Sequence, residues 1–173
     1  LSAGIKFIAV DNGDLFRFCD LPFGLDELPG TFTPFRLKIE SSVRVREPHS
    51  TDFSRPPQLA SSTFAQHCFS SFPWHASEDS ALARLRHYIW ETEKISVYKE
   101  TRNGMHGINY SSKLSPWLAT GSLSCRWVWH ETLRYEEKRG PSAGAQWLRF
   151  ELLWRSFFLW NALKQGRLLF SAD

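Results

Sequence analysis

The chain has 173 residues, enough for one domain with a sizeable core. Its 42% hydrophobic and 23% charged residues exclude a disordered chain, and no apolar run approaches the roughly 18 residues that indicate a membrane span. Residues 1–80 carry seven Lys/Arg against ten Asp/Glu, whereas residues 81–173 carry fourteen against eight and hold seven of the eight Trp. A basic, tryptophan-rich half suits a polyanion such as nucleic acid, although an ordinary solvated surface can show the same excess.

The N-terminal stretch predicts a short strand or hairpin within residues 5–18. An apolar run over residues 5–10 precedes the turn signal Asp11-Asn12-Gly13-Asp14, and a second run, Leu15–Phe18, follows it. Because the chain opens with Leu1 and not Met, we expect it to be part of a longer protein.

One short helix and one long connector follow. Phe32–Glu40 is predicted to be helical. Residues 48–76 hold four Pro among many Ser and indicate an irregular interdomain linker. We therefore divide the chain into residues 1–47, residues 48–76 and residues 77–173.

Helical periodicity dominates the third part. Ser77 is a good N-cap, with Glu78 and Asp79 in the first turn. Four helical stretches are predicted: from Ser77 to about Lys94, near Trp117, from about Ser124 to Tyr135, and roughly 143–164.

The last of these helices carries an aromatic stripe with one carboxylate in it. One face is predicted to hold Trp147, Phe150, Glu151, Trp154, Phe157, Phe158 and Asn161. A buried carboxylate needs a partner, so Glu151 pairs either with Arg155 at i+4 or with a ligand. For Trp154, the spacing alone favours a place in the core.

Residues 111–115 combine the side chains that bind an anion. Ser111, Ser112 and Ser115 offer hydroxyl donors, Lys113 offers a positive charge, and a following helix would offer free N–H groups. The same residues are also typical of a turn that only caps a helix.

Neither the cysteines nor the histidines have metal-ligand spacing. The three Cys are far apart and are expected to be unpaired thiols, and the six His show no H-x-x-x-H pattern, so we predict no metal site. No signal-peptide layout is present at the N-terminus, and the location of the protein in the cell stays open.

Three segments resemble one known family. Tyr98–Gly104 reads Y-K-E-T-R-N-G, Asn109–Ala119 reads N-Y-S-S-K-L-S-P-W-L-A, and Phe150–Arg155 reads F-E-L-L-W-R. These segments resemble the cryptochrome/photolyase family, most closely its cryptochrome-DASH branch. Upstream, Leu21-Pro-Phe and the F-T-x-F-R pattern at Phe32–Arg36 are similar to the same branch.

The resemblance implies a mainly α fold, the helical FAD-binding domain of photolyases. Residues 77–173 would form the first half of that domain, and residues 1–47 the end of an α/β antenna domain with a short strand or loop. The implied protein is a blue-light flavoprotein that binds DNA, single-stranded or lesion-containing. It is either an enzyme that repairs pyrimidine dimers by electron transfer from reduced flavin or a photoreceptor, and the sequence leaves both open. A folate antenna is a further cofactor that the resemblance implies.

The resemblance also implies site residues. The residues that would contact FAD are Tyr98, Ser111, Ser112, Lys113, Leu114, Ser115 and Arg155. The residues that would face DNA are Arg102, Glu151 and Trp154. Arg102 suits a phosphate, and Trp154 suits stacking on a flipped-out pyrimidine.

Some positions depart from the family pattern. Ser156 replaces the aspartate of the W-R-D motif, Leu159 replaces a second arginine, and Cys125 replaces the proline of L-S-P-R. We expect the isolated chain to bind FAD weakly or not at all and to be inactive as an enzyme, because it would supply only half of the pocket. A flavin-free nucleic-acid-binding or interaction module and a truncated, non-functional product remain the alternatives.

Overall fold

The computed structural model describes residues 14–48, 73–104 and 107–171. The regular elements in these ranges are all helical, as the sequence predicts. The α-helices are α1 (Phe32–Ser42), α2 (Glu78–Arg86), α3 (Tyr98–Thr101), α4 (Ser115–Thr120), α5 (Cys125–Arg139) and α6 (Ala143–Gln165). Short 3₁₀ segments lie at Phe18–Asp20, Leu25–Glu27, Lys94–Val97 and Gly166–Phe170. No helix in the described ranges has the length and apolar character needed to cross a membrane.

The expected N-terminal strand is not seen where the structure can test it. Residues 5–10 and the turn 11–13 lie outside the described residues, and Leu15–Phe18 forms bends followed by a 3₁₀ turn. Leu15 and Phe16 are both buried, whereas a half-exposed strand would bury only every second residue. The Leu15 carbonyl instead accepts a hydrogen bond from Arg126 Nε at 3.0 Å, so a side chain takes the place of a neighbouring strand.

Helix α1 confirms the prediction for Phe32–Glu40 and extends it by two residues. Phe32, Phe35 and Ile39 are buried at helical spacing and pack this helix against α6. The connector predicted over residues 48–76 lies mostly outside the described residues.

The helix predicted to run from Ser77 to Lys94 changes type on the way. The Ser77 side chain accepts a hydrogen bond from the Ser80 amide at 3.3 Å, as expected of an N-cap. After Arg86, however, the chain forms a π-helical turn, His87–Glu91. Both the amide and the hydroxyl of Thr92 donate to the His87 carbonyl at 2.9 Å. The helical segment therefore ends at Glu91, before the predicted end at Lys94.

Helix α6 is the central element and packs against α1, α3, α5 and the Lys94–Val97 turn. Gly144 allows α6 to lie directly against the Lys94–Val97 turn, because a Cβ at this position would lie 1.9 Å from the Ile95 carbonyl oxygen. The approach brings α6 beside Tyr98, which directly follows the Lys94–Val97 turn.

The aromatic stripe of α6 is not its most buried face. Leu148, Leu152 and Ser156 are buried, whereas Trp147 and Trp154 are only partly buried and Phe158 is 60% exposed. The helix is apolar over most of its circumference, so periodicity alone could not tell which apolar face lies innermost. Apart from Phe157, which is buried, the stripe instead forms a partly accessible surface next to the core.

Candidate functional site

Arg84 of α2 anchors the loop that the sequence predicts to bind an anion. Its Nε donates to the Ser112 carbonyl at 3.0 Å, and its Nη2 donates to the carbonyls of Ile108 at 2.8 Å and Ser111 at 3.2 Å. Its Nη1 donates to Asn109 Oδ1 at 2.9 Å. One guanidinium thus satisfies four acceptors of a loop that has no regular secondary structure.

The Arg84 side chain is itself 2% exposed. Burial lowers the pKa of its guanidinium, while the rings of Trp74 and Tyr88 lie 5.0 and 5.1 Å from its central carbon. Sequence reasoning missed this residue. The sequence signal that could have identified Arg84 is its position on the apolar face of α2, because Ala81, Leu85 and Tyr88 on that face are also buried.

The loop alternates between accessible and buried side chains. Ser111 and Lys113 are partly exposed and Ser115 is exposed, whereas Ser112 and Leu114 are buried. Lys113 has a φ of 60°, in the left-handed region that is uncommon for a lysine. The predicted FAD-binding residues of this loop therefore fall into two sets, with the hydroxyls of Ser111 and Ser115 and the ammonium of Lys113 on the accessible side.

Tyr98 links this loop to the predicted DNA-facing residues. Its ring packs edge-on against Tyr88, with 6.4 Å between centroids, and Tyr88 lies against Arg84. Burial, with a further contribution from the nearby Glu151 carboxylate, raises the pKa of the Tyr98 hydroxyl to about 12. Tyr98 is therefore a neutral hydrogen-bonding group at physiological pH.

Glu151 has a structural partner, but it is not Arg155. Its Oε1 accepts from Arg102 Nη1 at 2.6 Å and from Trp147 Nε1 at 3.0 Å. The Arg102 guanidinium also lies 5.0 Å from the centroid of the Trp147 ring. Of the two partners predicted for Glu151, Arg155 at i+4 is wrong, because Arg102 meets this carboxylate and Arg155 pairs with Asp14. Contact of Glu151 with a ligand stays a prediction.

Arg155 joins three parts of the fold. Its Nη1 lies 3.2 Å from Asp14 Oδ1, and its Nη2 donates to the Leu118 carbonyl of α4 at 3.2 Å. Ser156 Oγ donates to the same Asp14 oxygen at 2.7 Å. Burial raises the pKa of the Asp14 carboxyl, although these hydrogen bonds and the Arg155 charge oppose the rise.

Trp154 lies three residues after Glu151 and is partly buried. Its indole stacks on the Phe32 ring of α1, with 3.7 Å between centroids and 11° between planes, and also on the exposed Phe158 ring, with 5.4 Å and 24°. Phe32 covers one face of the indole, so a base could stack only on what remains accessible. Within the described ranges no cluster of three or more His, Cys, Asp or Glu is placed to hold a metal ion.

The chain is similar in sequence to known proteins. Cryptochrome DASH from Danio rerio is 40% identical over 171 residues, and that from Synechocystis sp. is 42% identical over 168. The aligned regions cover 90% and 88% of the chain. The chain is related to the cryptochrome-DASH branch of the cryptochrome/photolyase family. No family model matches it.

The fold agrees with this relationship. The crystal structure of the Synechocystis cryptochrome matches with a TM-score of 0.74 and 39% identity, covering 92% of this chain and 36% of that one. The chain thus spans about a third of the length of the cryptochrome-DASH proteins that it matches. Its helical fold is a partial cryptochrome/photolyase domain.

The geometry gives a reason for one departure from the cryptochrome-DASH pattern. Where the branch has aspartate after the Trp-Arg pair, Ser156 donates a hydrogen bond to the buried Asp14 carboxylate. An aspartate at position 156 would bring a second carboxylate into the same buried site, where like charges repel strongly. A serine at this position is thus compatible with the acidic residue at position 14.

Proposed function

We propose that this chain is the part of a cryptochrome-DASH-like blue-light flavoprotein that binds the pyrophosphate of FAD and one side of a DNA lesion. In this proposal Tyr98 and residues 111–115 serve the cofactor. Arg102, Glu151 and Trp154 serve the nucleic acid.

The observation that carries the proposal is the anchoring of the loop by Arg84. Four hydrogen bonds draw acceptors of Ile108, Asn109, Ser111 and Ser112 toward the protein interior. The donors of Ser111, Lys113 and Ser115 remain accessible. A cradle that offers hydroxyls and an ammonium while its acceptors are occupied fits a pyrophosphate.

Arg155 fits the flavin side only in a supporting role. Its guanidinium is engaged by Asp14 and by the Leu118 carbonyl, so we assign it the positioning of α4, the helix that begins at Ser115. FAD, when bound, would supply the light-absorbing and electron-donating group. The residues of this chain bind and orient it.

The DNA-facing set suits a flipped-out base. Arg102 and Glu151 form an ion pair whose side chains are 29% and 32% exposed, so a phosphate can compete for Arg102 while Glu151 becomes free to accept from a base edge. Trp154 on the next turn of α6 offers apolar surface to such a base. Repair of pyrimidine dimers in light is the activity that this arrangement serves.

Titration of the purified chain with FAD and, separately, with riboflavin tests the cofactor half of the proposal. We expect weak binding of FAD and none of riboflavin, because the cradle recognises the pyrophosphate that riboflavin lacks. Lys113→Gln should weaken FAD binding further, whereas Lys138→Gln, an equal charge change on α5, should not. Equal affinity for FAD and riboflavin would contradict the proposal.

Titration with FAD beside a DNA-binding assay separates the proposal from its alternative. A chain that never binds flavin but still binds single-stranded DNA would be a nucleic-acid-binding module. The cationic and aromatic surface formed by Arg102, Trp147 and Lys99 favours this second function, since it does not depend on the loop.

A further inference from the structure

A cleft of about 490 Å³ lies where α1, α3, α5 and α6 meet. Three aromatic side chains, Trp129, Trp147 and Phe150, form its walls. Cationic side chains stand around them: Lys99 from α3, Arg36 from α1 and Arg149 from α6. The volume is within the range of small-molecule sites, and the lining combines flat apolar surface with these three cations and one carboxylate, that of Glu40.

The three cations are not equally available. Arg149 donates to Glu136 at 2.6 Å and to Thr132 Oγ1 at 3.1 Å, in a pair that is largely buried. Arg36 lies 3.6 Å from Glu40, a partner that is exposed. Lys99 is exposed and forms no ion pair with any residue that the structure describes. Lys99 is therefore the cation best placed to receive an anion from solvent.

The aromatic walls also differ in how available their ring faces are to a ligand. Lys99 Nζ lies 5.2 Å and the Arg102 guanidinium 5.0 Å from the centroid of the Trp147 ring, so cations already lie over this indole. The Arg149 guanidinium is 5.9 Å from the Trp129 ring, at the outer limit of a cation–π contact. Trp129 is partly exposed, and no aromatic ring among the described residues packs against it, whereas Phe150 packs against Phe32 and Trp147.

We infer that this cleft binds one unstacked base of a single-stranded nucleic acid, with the base against Trp129 and the adjoining phosphate at Lys99. Base–aromatic stacking combined with a backbone cation is the general chemistry of single-strand binding. A purely apolar ligand would leave Lys99 without an anionic partner. This inference rests on the nucleic-acid partner proposed above.

The cleft is continuous with the proposed DNA-facing residues through Trp147. This indole lines the cleft and donates its Nε1 hydrogen to Glu151, the partner of Arg102. A strand whose phosphate meets Arg102 therefore passes Trp147 before its next base reaches the cleft. The strand would follow α3 from Arg102 toward Lys99.

A pair of matched lysine variants tests the phosphate contact. Lys99 and Lys138 are both exposed and each lies over a tryptophan, at 5.2 Å from Trp147 and 5.1 Å from Trp90, but only Lys99 lines the cleft. In fluorescence anisotropy with a labelled oligothymidylate of about eight nucleotides, Lys99→Gln should reduce the salt slope of binding by roughly 0.7 to 1 unit. Lys138→Gln should leave it unchanged.

Cross-linking tests the position of the base. An oligothymidylate carrying 5-iodouracil should cross-link under ultraviolet light to the peptide that contains Trp129, and Trp129→Leu should weaken binding by about tenfold through lost stacking. A wild-type chain that binds no oligothymidylate would overturn the proposed DNA function and this inference together. Binding that is unaffected by both Lys99→Gln and Trp129→Leu would overturn the inference alone.

Discussion

The anchored loop and the cluster of Arg102, Glu151 and Trp147 hold their arginines in opposite ways. Arg84 is buried and donates to three carbonyls and an amide oxygen, without a carboxylate among these acceptors. Arg102 is partly exposed and pairs with Glu151 beside an indole. The first arrangement fixes a backbone conformation, whereas the second can exchange its partner for a ligand phosphate. The difference teaches that stability should depend on Arg84 and salt-sensitive binding on Arg102.

Replacing Arg84 should give the largest effect. Arg84→Met would leave several buried acceptors without donors, at about 1–3 kcal/mol each, so we expect a loss of unfolding free energy of about 3–5 kcal/mol. Urea denaturation measures this loss. Arg86→Met is the matched control, because Arg86 is exposed on the same helix, and it should change stability by less than about 0.5 kcal/mol. An equally small change in both variants would show that the loop does not depend on Arg84.

Trp154→Ala should separate a binding role from a structural one. If Trp154 stacks on a base, affinity for single-stranded DNA falls by about 1–3 kcal/mol while the salt slope stays nearly unchanged. If its role is to support Phe32, the melting temperature falls, by the equivalent of up to about 3–5 kcal/mol for an emptied core site, and affinity is retained. Thermal melting beside anisotropy distinguishes the two, and a lowered melting temperature with unchanged affinity would assign Trp154 to the core.

Arg102→Ala should leave stability almost intact but change the response to salt. Because a partly exposed ion pair contributes only about 0–1 kcal/mol, the unfolding free energy should change little. The salt slope of DNA binding should fall by roughly one unit, as expected when one phosphate contact is lost. A slope equal to that of the wild-type chain would exclude Arg102 from the DNA contact.

Asp14 should give the smallest effect, seen only as a function of pH. Its carboxyl has a raised pKa in the folded state, so the folded chain binds a proton more readily than the unfolded one. Stability of the wild-type chain should therefore rise, relative to Asp14→Asn, as pH falls from the raised value toward the ordinary value of a carboxyl. Urea denaturation at several pH values measures this, and parallel curves for the two proteins would contradict it.

How far the sequence predicts this structure depends on the range of the interaction. Local signals, such as the Ser77 cap and the spacing of Phe32, Phe35 and Ile39, predict helices close to those observed. Glu151 was expected to pair with its helical neighbour Arg155 or with a ligand, but its partner Arg102 lies 49 positions away. No local pattern reports such a pairing, because it arises only when α3 is packed on α6.

The same limit applies to the site as a whole. Motif resemblance named the loop 111–115 directly, but not Arg84, whose acceptors lie 24 to 28 positions later. Nor did it name Asp14, which meets Ser156 across 142 positions. Resemblance transfers residues that a family motif contains, whereas the groups that hold those residues in place are found only in the folded chain.

The geometry of the site depends on the absence of a side chain at Gly144. The Ile95 carbonyl occupies the space where a methyl group at position 144 would stand, and Tyr98 and Arg102 follow Ile95 within two helical turns. In a mutational scan of α6, we therefore expect many substitutions to be tolerated at the exposed Gln146 and none at Gly144. Tolerance to substitution along α6 would then depend more on the space between each position and the neighbouring backbone than on the chemical similarity of the new residue.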